Sequence, residues 1–177
     1  FLQTIFLRKF NIGGGLEFQN LFLKSENLSK ANKTIENSNY LSFVGFLSYD
    51  TFDDKYFPKK GWYLKSNFNN YFSSSDYTSQ FSNFSISKTD IGIAVAPIKN
   101  FTVVLKNEIG FKIGHSTLPY FDFALGGTGF KDNANIIPFY GYDFLSIIGN
   151  SYIKSSGTFD YEFYKKNHIN LTYNASI

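Results

Sequence analysis

The stretch FTVVLKNEIGFKIG, residues 101–114, decides how the rest of the chain is interpreted, because its side chains alternate between apolar and polar. The odd-numbered positions are Phe101, Val103, Leu105, Asn107, Ile109, Phe111 and Ile113. The even-numbered positions are Thr102, Val104, Lys106, Glu108, Gly110, Lys112 and Gly114. Successive side chains of a strand point to opposite faces of the sheet, so the pattern predicts a strand with one apolar and one polar face. We expect Lys106, Glu108 and Lys112 to share a polar interior in which their charges pair.

Six further segments alternate in the same way and bring the predicted strand count to about seven. Their apolar side chains are Ile12, Leu16 and Phe18; Leu41, Phe43, Leu47 and Tyr49; Trp62, Leu64 and Phe68; Ile91, Ile93 and Val95; Phe159, Tyr161 and Phe163; and Ile169, Leu171, Tyr173 and Ile177. These strands have roughly ten residues or more, which is the length that a tilted strand needs to cross a membrane. Strands of globular proteins are usually shorter.

The predicted connections fall into two groups, one at each end of the strands. The first group comprises the tight turns Pro97–Asn100 and Tyr164–Asn167 together with Asp50–Gly61. The second comprises the long polar connection Ser25–Asn39, the segment Ser73–Gln80 and a long excursion at about 114–149. Membrane barrels have short periplasmic turns and long extracellular loops, so we expect the first group in the periplasm and the second outside the cell.

The composition of the chain argues against several classes of protein. Aromatic residues make up 20% of the chain, yet the mean hydropathy is only −0.19. The sequence has no run of about 20 apolar residues, as a membrane-spanning helix requires. The net charge is +3, and the scattered lysines do not form the clustered basic face of a nucleic-acid-binding protein. Without cysteine, neither a disulfide nor a thiolate site can form.

The predicted fold class is therefore an all-β, antiparallel transmembrane β-barrel. A soluble antiparallel barrel or sandwich also alternates. Against that alternative, residues such as Lys106, Glu108 and Asn67 make the proposed inner face too polar for a packed interior.

Three short motifs follow one another along the chain. The first is DKYFPKKGW at Asp54–Trp62, in which Pro58 fixes φ and Gly61 supplies a permissive backbone before a strand. The second is LPYFDFALGG at Leu118–Gly127, and the third is IPFYGY at Ile137–Tyr142. Their order and spacing resemble the BamA-like outer-membrane assembly-factor superfamily, also called the bacterial surface antigen family.

The resemblance implies functional residues at two places. One is a periplasmic turn motif of Tyr56, Phe57, Pro58, Gly61 and Trp62. The other is a lumen loop motif of Gly126, Gly127, Pro138, Phe139, Tyr140, Gly141 and Tyr142. The chain begins without an initiator Met and ends within a strand pattern, so residues 1–177 are interpreted as a single segment truncated at both ends. The resemblance implies that the whole barrel has roughly sixteen strands.

The third motif departs from the assembly factors at its tip. Their tip carries an Arg that pairs with acidic residues of the wall, whereas the only arginine here is Arg8. Instead, PFYGY at Pro138–Tyr142 and KNHINL at Lys166–Leu171 look like the C-terminal barrels of bacterial patatin-like phospholipases. This resemblance implies a bacterial outer-membrane barrel that anchors, and can translocate, an upstream lipase domain. One alternative is an outer-membrane insertase or two-partner-secretion pore, and another is a small self-contained β-barrel that binds a ligand.

No catalytic motif is present in the sequence, so the segment is predicted not to be an enzyme. The G-x-S-x-G elbow of patatin-type hydrolases is missing, and its nearest match, Gly114–Leu118, lacks the final glycine. The run Gly126–Gly129 lacks the Lys-Ser/Thr of a phosphate loop, so we expect loop backbone with positive φ there. Asp53 and Asp54 are expected in a solvated turn rather than a cation site. We predict no cofactor, metal or nucleic-acid partner; the expected partners are membrane lipid, the remaining strands of the barrel and the upstream domain.

Aromatic residues of the long excursion have two interpretations. They are Tyr120, Phe121, Phe123, Phe139, Tyr140 and Tyr142. We expect them to pack inside the lumen, and the alternative is a patch that contacts another surface. Trp62 is expected to be an interfacial anchor, with an ordinary core tryptophan as the alternative. His115 and His168 are expected to be ordinary surface or lumen side chains.

Overall fold

The computed structural model describes residues 2–6, 9–27, 30–75, 80–115, 118–128 and 135–177, with the backbone alone at residues 6, 25–27 and 30–35. Its strands are β1 (Leu2–Phe6), β2 (Phe10–Asn27), β3 (Lys30–Asp50), β4 (Lys60–Ser74), β5 (Phe84–Ile98), β6 (Phe101–Gly114), β7 (Phe123–Leu125), β8 (Ile136–Ile137), β9 (Ile147–Gly149), β10 (Ser151–Tyr164) and β11 (Asn167–Ser176). A short 3₁₀ turn at Pro119–Phe121 precedes β7. In the described parts of the chain, no helix has the length and apolarity needed to cross a bilayer.

Eight strands form one antiparallel sheet in the order β1-β2-β3-β4-β5-β6-β10-β11. The first and last of these are edges, so the sheet is open within the described residues. The remaining three strands form a small sheet in which β7 lies between β8 and β9. The predicted all-β antiparallel fold is confirmed, and β6 has the bounds expected from its alternation, Phe101–Gly114.

The strand count differs from the prediction by one. The sheet has eight strands rather than seven, because β1 pairs with the beginning of β2 from Leu2↔Gly14 to Phe6↔Phe10. Only five residues long, LQTIF is too short to display a clear alternation.

The prediction of a long polar connection at Ser25–Asn39 is wrong. β2 continues to Asn27 and β3 begins at Lys30, with Ser25 paired to Lys33 and Asn20 paired to Asn39. The 21 residues of β3 span roughly 70 Å at about 3.3 Å per residue. Because a bilayer core is only about 30 Å thick, the distal part of this hairpin projects into water. Polar side chains suit both faces there, so the alternation that reveals a strand disappears.

The two faces of the large sheet differ in what covers them. We call the face over which the connection between β6 and β10 folds the inner face, and the opposite face the outer face. Exposed apolar side chains on the outer face include Leu16, Phe18, Phe43, Phe68, Ile91, Ile93, Leu105, Ile109, Phe111, Ile113, Ile153, Phe159, Ile169 and Leu171. Soluble proteins rarely expose a contiguous apolar surface of this extent, whereas membrane barrels turn alternate apolar residues to lipid. The outer face therefore has the character of a lipid-facing wall.

Several polar side chains on the outer face are paired across neighbouring strands. The Ser66 and Thr89 hydroxyls lie 3.0 Å apart, and the Asn70 amide donates to Ser85 at 2.8 Å. Ser155 donates to the Asn107 side chain at 2.6 Å. Hydrocarbon offers no hydrogen-bond partner, so this mutual pairing makes these groups tolerable on a lipid-facing wall.

Candidate functional site: a connection and a strap on the inner face

The inner connection, residues 118–128 and 135–149, is held to the sheet by an aromatic cluster. Phe121 is 1% exposed, and its ring centroid lies 5.1 Å from Tyr40, 5.0 Å from Tyr71 and 4.8 Å from Phe84. Tyr40, Tyr71 and Phe84 project from the inner faces of β3, β4 and β5 and are themselves buried. One side chain of the connection therefore packs against three successive strands.

Alternation within the connection explains which of its side chains reach the wall. Phe123 and Leu125 are buried, as expected for alternate residues of the extended β7, and so is Phe121 at the end of the 3₁₀ turn. The Phe123 ring lies 4.9 Å from Tyr152 of β10, and both rings close over Gly110, where an added Cβ would overlap them. The intervening Asp122 forms an ion pair with Lys112 of β6. The missing side chain at Gly110 thus provides the space in which Phe123 docks.

Two glycines close the connection on itself. Gly126 and Gly127 have φ values of +133° and +77°, which confirms the positive φ expected there. Their N–H groups donate to the carbonyls of Ile137 and Tyr142 at 3.2 and 2.9 Å. A Cβ at Gly126 would overlap the carbonyl oxygen of Asp143, so the backbone itself fills the space that a larger residue would need.

The tip of the connection, Pro138–Tyr142, is attached to β11 through its main chain. The N–H of Tyr140 donates to Asn174 Oδ1 at 2.9 Å, and Asn174 Nδ2 donates to the Tyr140 carbonyl at 3.4 Å. Phe139 is buried, whereas the side chains of Tyr140 and Tyr142 are more than half exposed. The tip is therefore held by two hydrogen bonds between the main chain of Tyr140 and the side chain of Asn174.

The loop aromatics divide into two groups, so each earlier interpretation describes only half of them. Phe121, Phe123 and Phe139 are buried in the inner cluster. Tyr120, Tyr140 and Tyr142 are 45–56% exposed. The Tyr120 hydroxyl accepts a hydrogen bond from Gln19 at 3.0 Å, on one side of a cavity of about 1040 Å³ whose polar lining includes Glu17, Gln19, Asn67, Asn69 and Lys88.

A second segment crosses the inner face at the opposite end of the sheet. We call residues 51–59, which join β3 to β4, the strap. Its Phe57 ring stacks on His168 of β11 with centroids 3.8 Å apart and planes 14° from parallel. Lys59 Nζ lies 2.7 Å from Glu162 Oε2 of β10, and this hydrogen bond raises the pKa of Lys59 above its usual value. The strap thereby contacts strands that are not its sequence neighbours.

Carboxylates inside the strap fix its shape. Asp54 Oδ1 accepts the N–H groups of Tyr56 and Phe57 at 2.7 and 2.8 Å, and these two bonds lower the pKa of Asp54. Asp53 Oδ1 accepts those of Lys59 and Lys60 at 2.9 and 3.1 Å. Partial desolvation raises the pKa of Asp53, but the N–H donors outweigh it and the net shift is downward. Asp54 thus forms an Asx turn, and Asp53 closes the strap by accepting from the N–H groups at its far end.

The base of the strap is closed by Thr51 and Trp62. Thr51 Oγ1 accepts from Trp62 N–H at 2.9 Å and donates to the Trp62 carbonyl at 2.8 Å. Gly61 between them has a φ of +112°, and a Cβ there would overlap the Thr51 carbonyl, so this position requires glycine. The Trp62 ring is 43% exposed on the outer face, 4.8 Å from Tyr49, and is not a core residue.

Charged residues line the wall between the connection and the strap. Lys154 pairs with Glu108 at 2.7 Å, and the imidazole of His168 lies 2.9 Å from Asp160. The prediction that Glu108 and Lys112 point inward and pair is confirmed, with Lys154 and Asp122 as their partners. Among the described residues, no group of three or more His, Cys, Asp or Glu side chains is placed to hold a metal ion.

The sequence matches the profile of the OMP85 superfamily over residues 1–177. The chain belongs to the OMP85 superfamily. Members are outer-membrane β-barrels of Gram-negative bacteria with roles in protein insertion or secretion, and they are generally not enzymes. The superfamily predicted from the three motifs is thus confirmed, while the patatin-like relationship remains a prediction. No curated protein matches the chain.

In this OMP85 chain, the predicted site residues lie in two separate places. The loop residues Gly126, Gly127, Pro138, Phe139, Tyr140, Gly141 and Tyr142 belong to the inner connection. Tyr56, Phe57 and Pro58 belong to the strap, and Gly61 and Trp62 follow it at the start of β4.

Sequence reasoning missed the far-side partners Asn174, His168 and Glu162, and also the aromatic platform of Tyr40, Tyr71 and Phe84. The signal for the platform was available: aromatic residues occupy inner positions on three consecutive strands where polar ones were expected. Ser116, Thr117 and Gly129, which belong to the two weak motif matches, lie outside the described residues.

Proposed function

We propose that this OMP85 barrel anchors an upstream domain of the same protein in the outer membrane and takes part in its export, with a patatin-like lipase as the upstream domain. The observation that carries the proposal is the tip of the inner connection. Its main chain is bound by Asn174, and the tip sequence PFYGY contains no arginine. The tip thus departs from that of the assembly factors and resembles that of the patatin-linked barrels.

The inner connection has the contacts of a permanent brace. It joins β3, β4 and β5 through Phe121, β6 through the Asp122–Lys112 ion pair, β10 through Phe123 and β11 through Tyr140. A barrel whose role is to hold a cargo at the membrane needs such a fixed wall, and the outer face supplies the apolar surface for insertion.

The proposal is tested by replacing Pro138–Gly141 with a Gly/Ser linker in the intact protein. We expect reduced surface display of the upstream domain, measured by protease or antibody accessibility on whole cells, together with a lower temperature of barrel unfolding. Asn174→Ala should reproduce the effect in weaker form, and Asn83→Ala, an exposed asparagine in the connection before β5, serves as the control. Unchanged display and heat stability would overturn the bracing role. Two findings would favour the insertase alternative. One is an upstream region made of repeated chaperone-like modules, and the other is a failure of other barrels to insert when this protein is absent.

A further inference from the structure

The strap spans a wide part of the inner face. It joins β3 to β4, yet it contacts β10 and β11, which are three and four positions away from β4 in the strand order. With neighbouring strands about 4.8 Å apart, these partners would lie roughly 14 and 19 Å away along a flat sheet. The segment must therefore cut across the concave side of a curved sheet as a chord.

The chord passes in front of the ends of β5 and β6. The inner-facing residues of those strands at this end are Ala94 and Thr102, and both are 2% exposed. Pro58 of the strap is buried as well. Ala94 and Thr102 lie between the attachment points of the strap, where a chord across the sheet would cover them.

The far attachments of the strap are of a kind that can be released. Phe57 contributes a single ring stack to His168, and the Phe57 side chain is itself 39% exposed. In the ion pair with Glu162, the Lys59 side chain is 45% exposed and the Glu162 side chain 18%, so water screens the pair from the lysine side and limits its contribution to stability. The shape of the strap, by contrast, is fixed internally by Asp53 and Asp54 and at its base by Thr51. Such a segment can swing away from the far strands as a preformed unit.

We propose that the strap is a gate over the tight-turn end of the lumen, latched to β10 and β11 by the Lys59–Glu162 and Phe57–His168 contacts. When latched, it covers the inner wall near the ends of β5 and β6. When released, it leaves that end of the lumen open to water while the inner connection at the other end stays in place. This inference does not depend on which domain lies upstream, and it can fail while the proposed anchoring role holds.

Thiol accessibility tests the gate, because the chain contains no cysteine and a single introduced thiol is therefore unique within it. The reporter is Thr102→Cys in the intact protein, with any cysteine of the upstream domain replaced, in detergent micelles, where a charged methanethiosulfonate reaches both ends of the barrel. Adding Phe57→Ala and Lys59→Ala should accelerate labelling at least about tenfold, since the reporter loses its cover. Lys55→Ala, an exposed neighbour in the same strap that removes one positive charge as Lys59→Ala does, is the matched control and should leave the rate unchanged. Equal labelling rates in the latch variant and the control would overturn the proposal.

A distance measurement covers the case in which the reporter variant fails to fold. Spin labels at Tyr56→Cys and Lys165→Cys, both exposed positions in the strap and in the turn before β11, report directly on the chord. We expect one short-distance population, which gains a second, longer population when Phe57→Ala and Lys59→Ala are added. A single long distance in the otherwise unaltered strap would contradict the latch, and so would an unchanged distribution in the latch variant.

Discussion

The inner connection and the strap both cross the inner face of the sheet, but they are attached in different ways. The connection uses buried aromatic rings, with Phe121 and Phe123 exposed by 1% and 0%. The strap uses one half-exposed ring stack and one partly exposed ion pair at its far end. Burial of aromatic surface dominates packing energy, whereas an exposed ion pair adds little. The comparison indicates that one crossing is a permanent part of the wall and that the other can open.

The largest expected effect is at the centre of the aromatic cluster. Phe121→Ala removes a buried ring that contacts Tyr40, Tyr71 and Phe84, and such truncations cost about 3–5 kcal/mol. The free energy of unfolding, measured by urea titration of the barrel in detergent or lipid, should fall by that amount. Tyr120→Ala, next in sequence but 45% exposed with one hydrogen bond from Gln19, should cost about 1 kcal/mol. Equal losses at the two positions would show that the connection is not anchored through its buried side.

Two glycines of the connection give a matched pair for the second effect. Gly126 and Gly141 both have positive φ, but a Cβ at Gly126 would overlap the Asp143 carbonyl, whereas one at Gly141 would meet nothing within 4 Å. Gly141→Ala should cost about 1 kcal/mol for the backbone strain alone. Gly126→Ala should cost about 3 kcal/mol or more, because strain and overlap add. The same unfolding titration measures both losses. A larger loss for Gly141→Ala than for Gly126→Ala would show that the closed form of the connection is not the native one.

The third effect concerns the latch of the strap. Phe57→Ala should lower the free energy of unfolding by about 2 kcal/mol, because the ring pair adds about 1 kcal/mol to the burial of a ring that is still 39% exposed. A loss as large as that of Phe121→Ala would remove the distinction between the two crossings, because the strap would then be part of the core.

The extent to which the sequence predicted this structure varies with position in the sheet. Within the membrane-crossing part, period-two alternation predicted the bounds of β6 and the apolar face of each of the other predicted strands, since lipid and water impose opposite demands on adjacent residues. Beyond the membrane that constraint is absent, which is why the local pattern predicts a connection at Ser25–Asn39 although both of its flanking strands continue into it.

Long-range contacts on the inner face could not be predicted from local pattern. The turn at Asp54–Trp62 was recognised from its Pro and Gly, but nothing near it in sequence indicates that Phe57 meets His168, more than a hundred residues away. The same holds for Tyr140 and Asn174, where the main chain of one segment pairs with a side chain of another. These pairs depend on the curvature of the sheet, which alternation alone does not encode.

The smallest expected effect is the pH dependence of the strap. The pKa of Asp54 is lowered by the N–H groups of Phe57 and Tyr56, so the ionised form is favoured in the folded chain. The contribution of Asp54 to stability is therefore fully present above its usual pKa of 3.8. It is lost as the pH falls below that value, through the lower pKa that Asp54 has in the folded chain. The spin-label distance between the strap and the turn before β11 should lengthen in the parent chain below about pH 4. Asp54→Asn should show a shallower dependence, because the amide oxygen accepts hydrogen bonds without titrating. Identical pH profiles for parent and variant would assign the acid response to other carboxylates.

The most direct test of the membrane-barrel assignment is a spin-label scan of residues 101–113 in lipid bilayers. Labels at the outer positions, such as Leu105, Ile109 and Phe111, should be accessible to dissolved oxygen and shielded from a water-soluble nickel chelate. Labels at the inner positions Lys106 and Glu108 should show the reverse, so that accessibility switches at every step. An accessibility profile with a helical period, or one with no switching along β6, would contradict the assignment of the outer face to lipid.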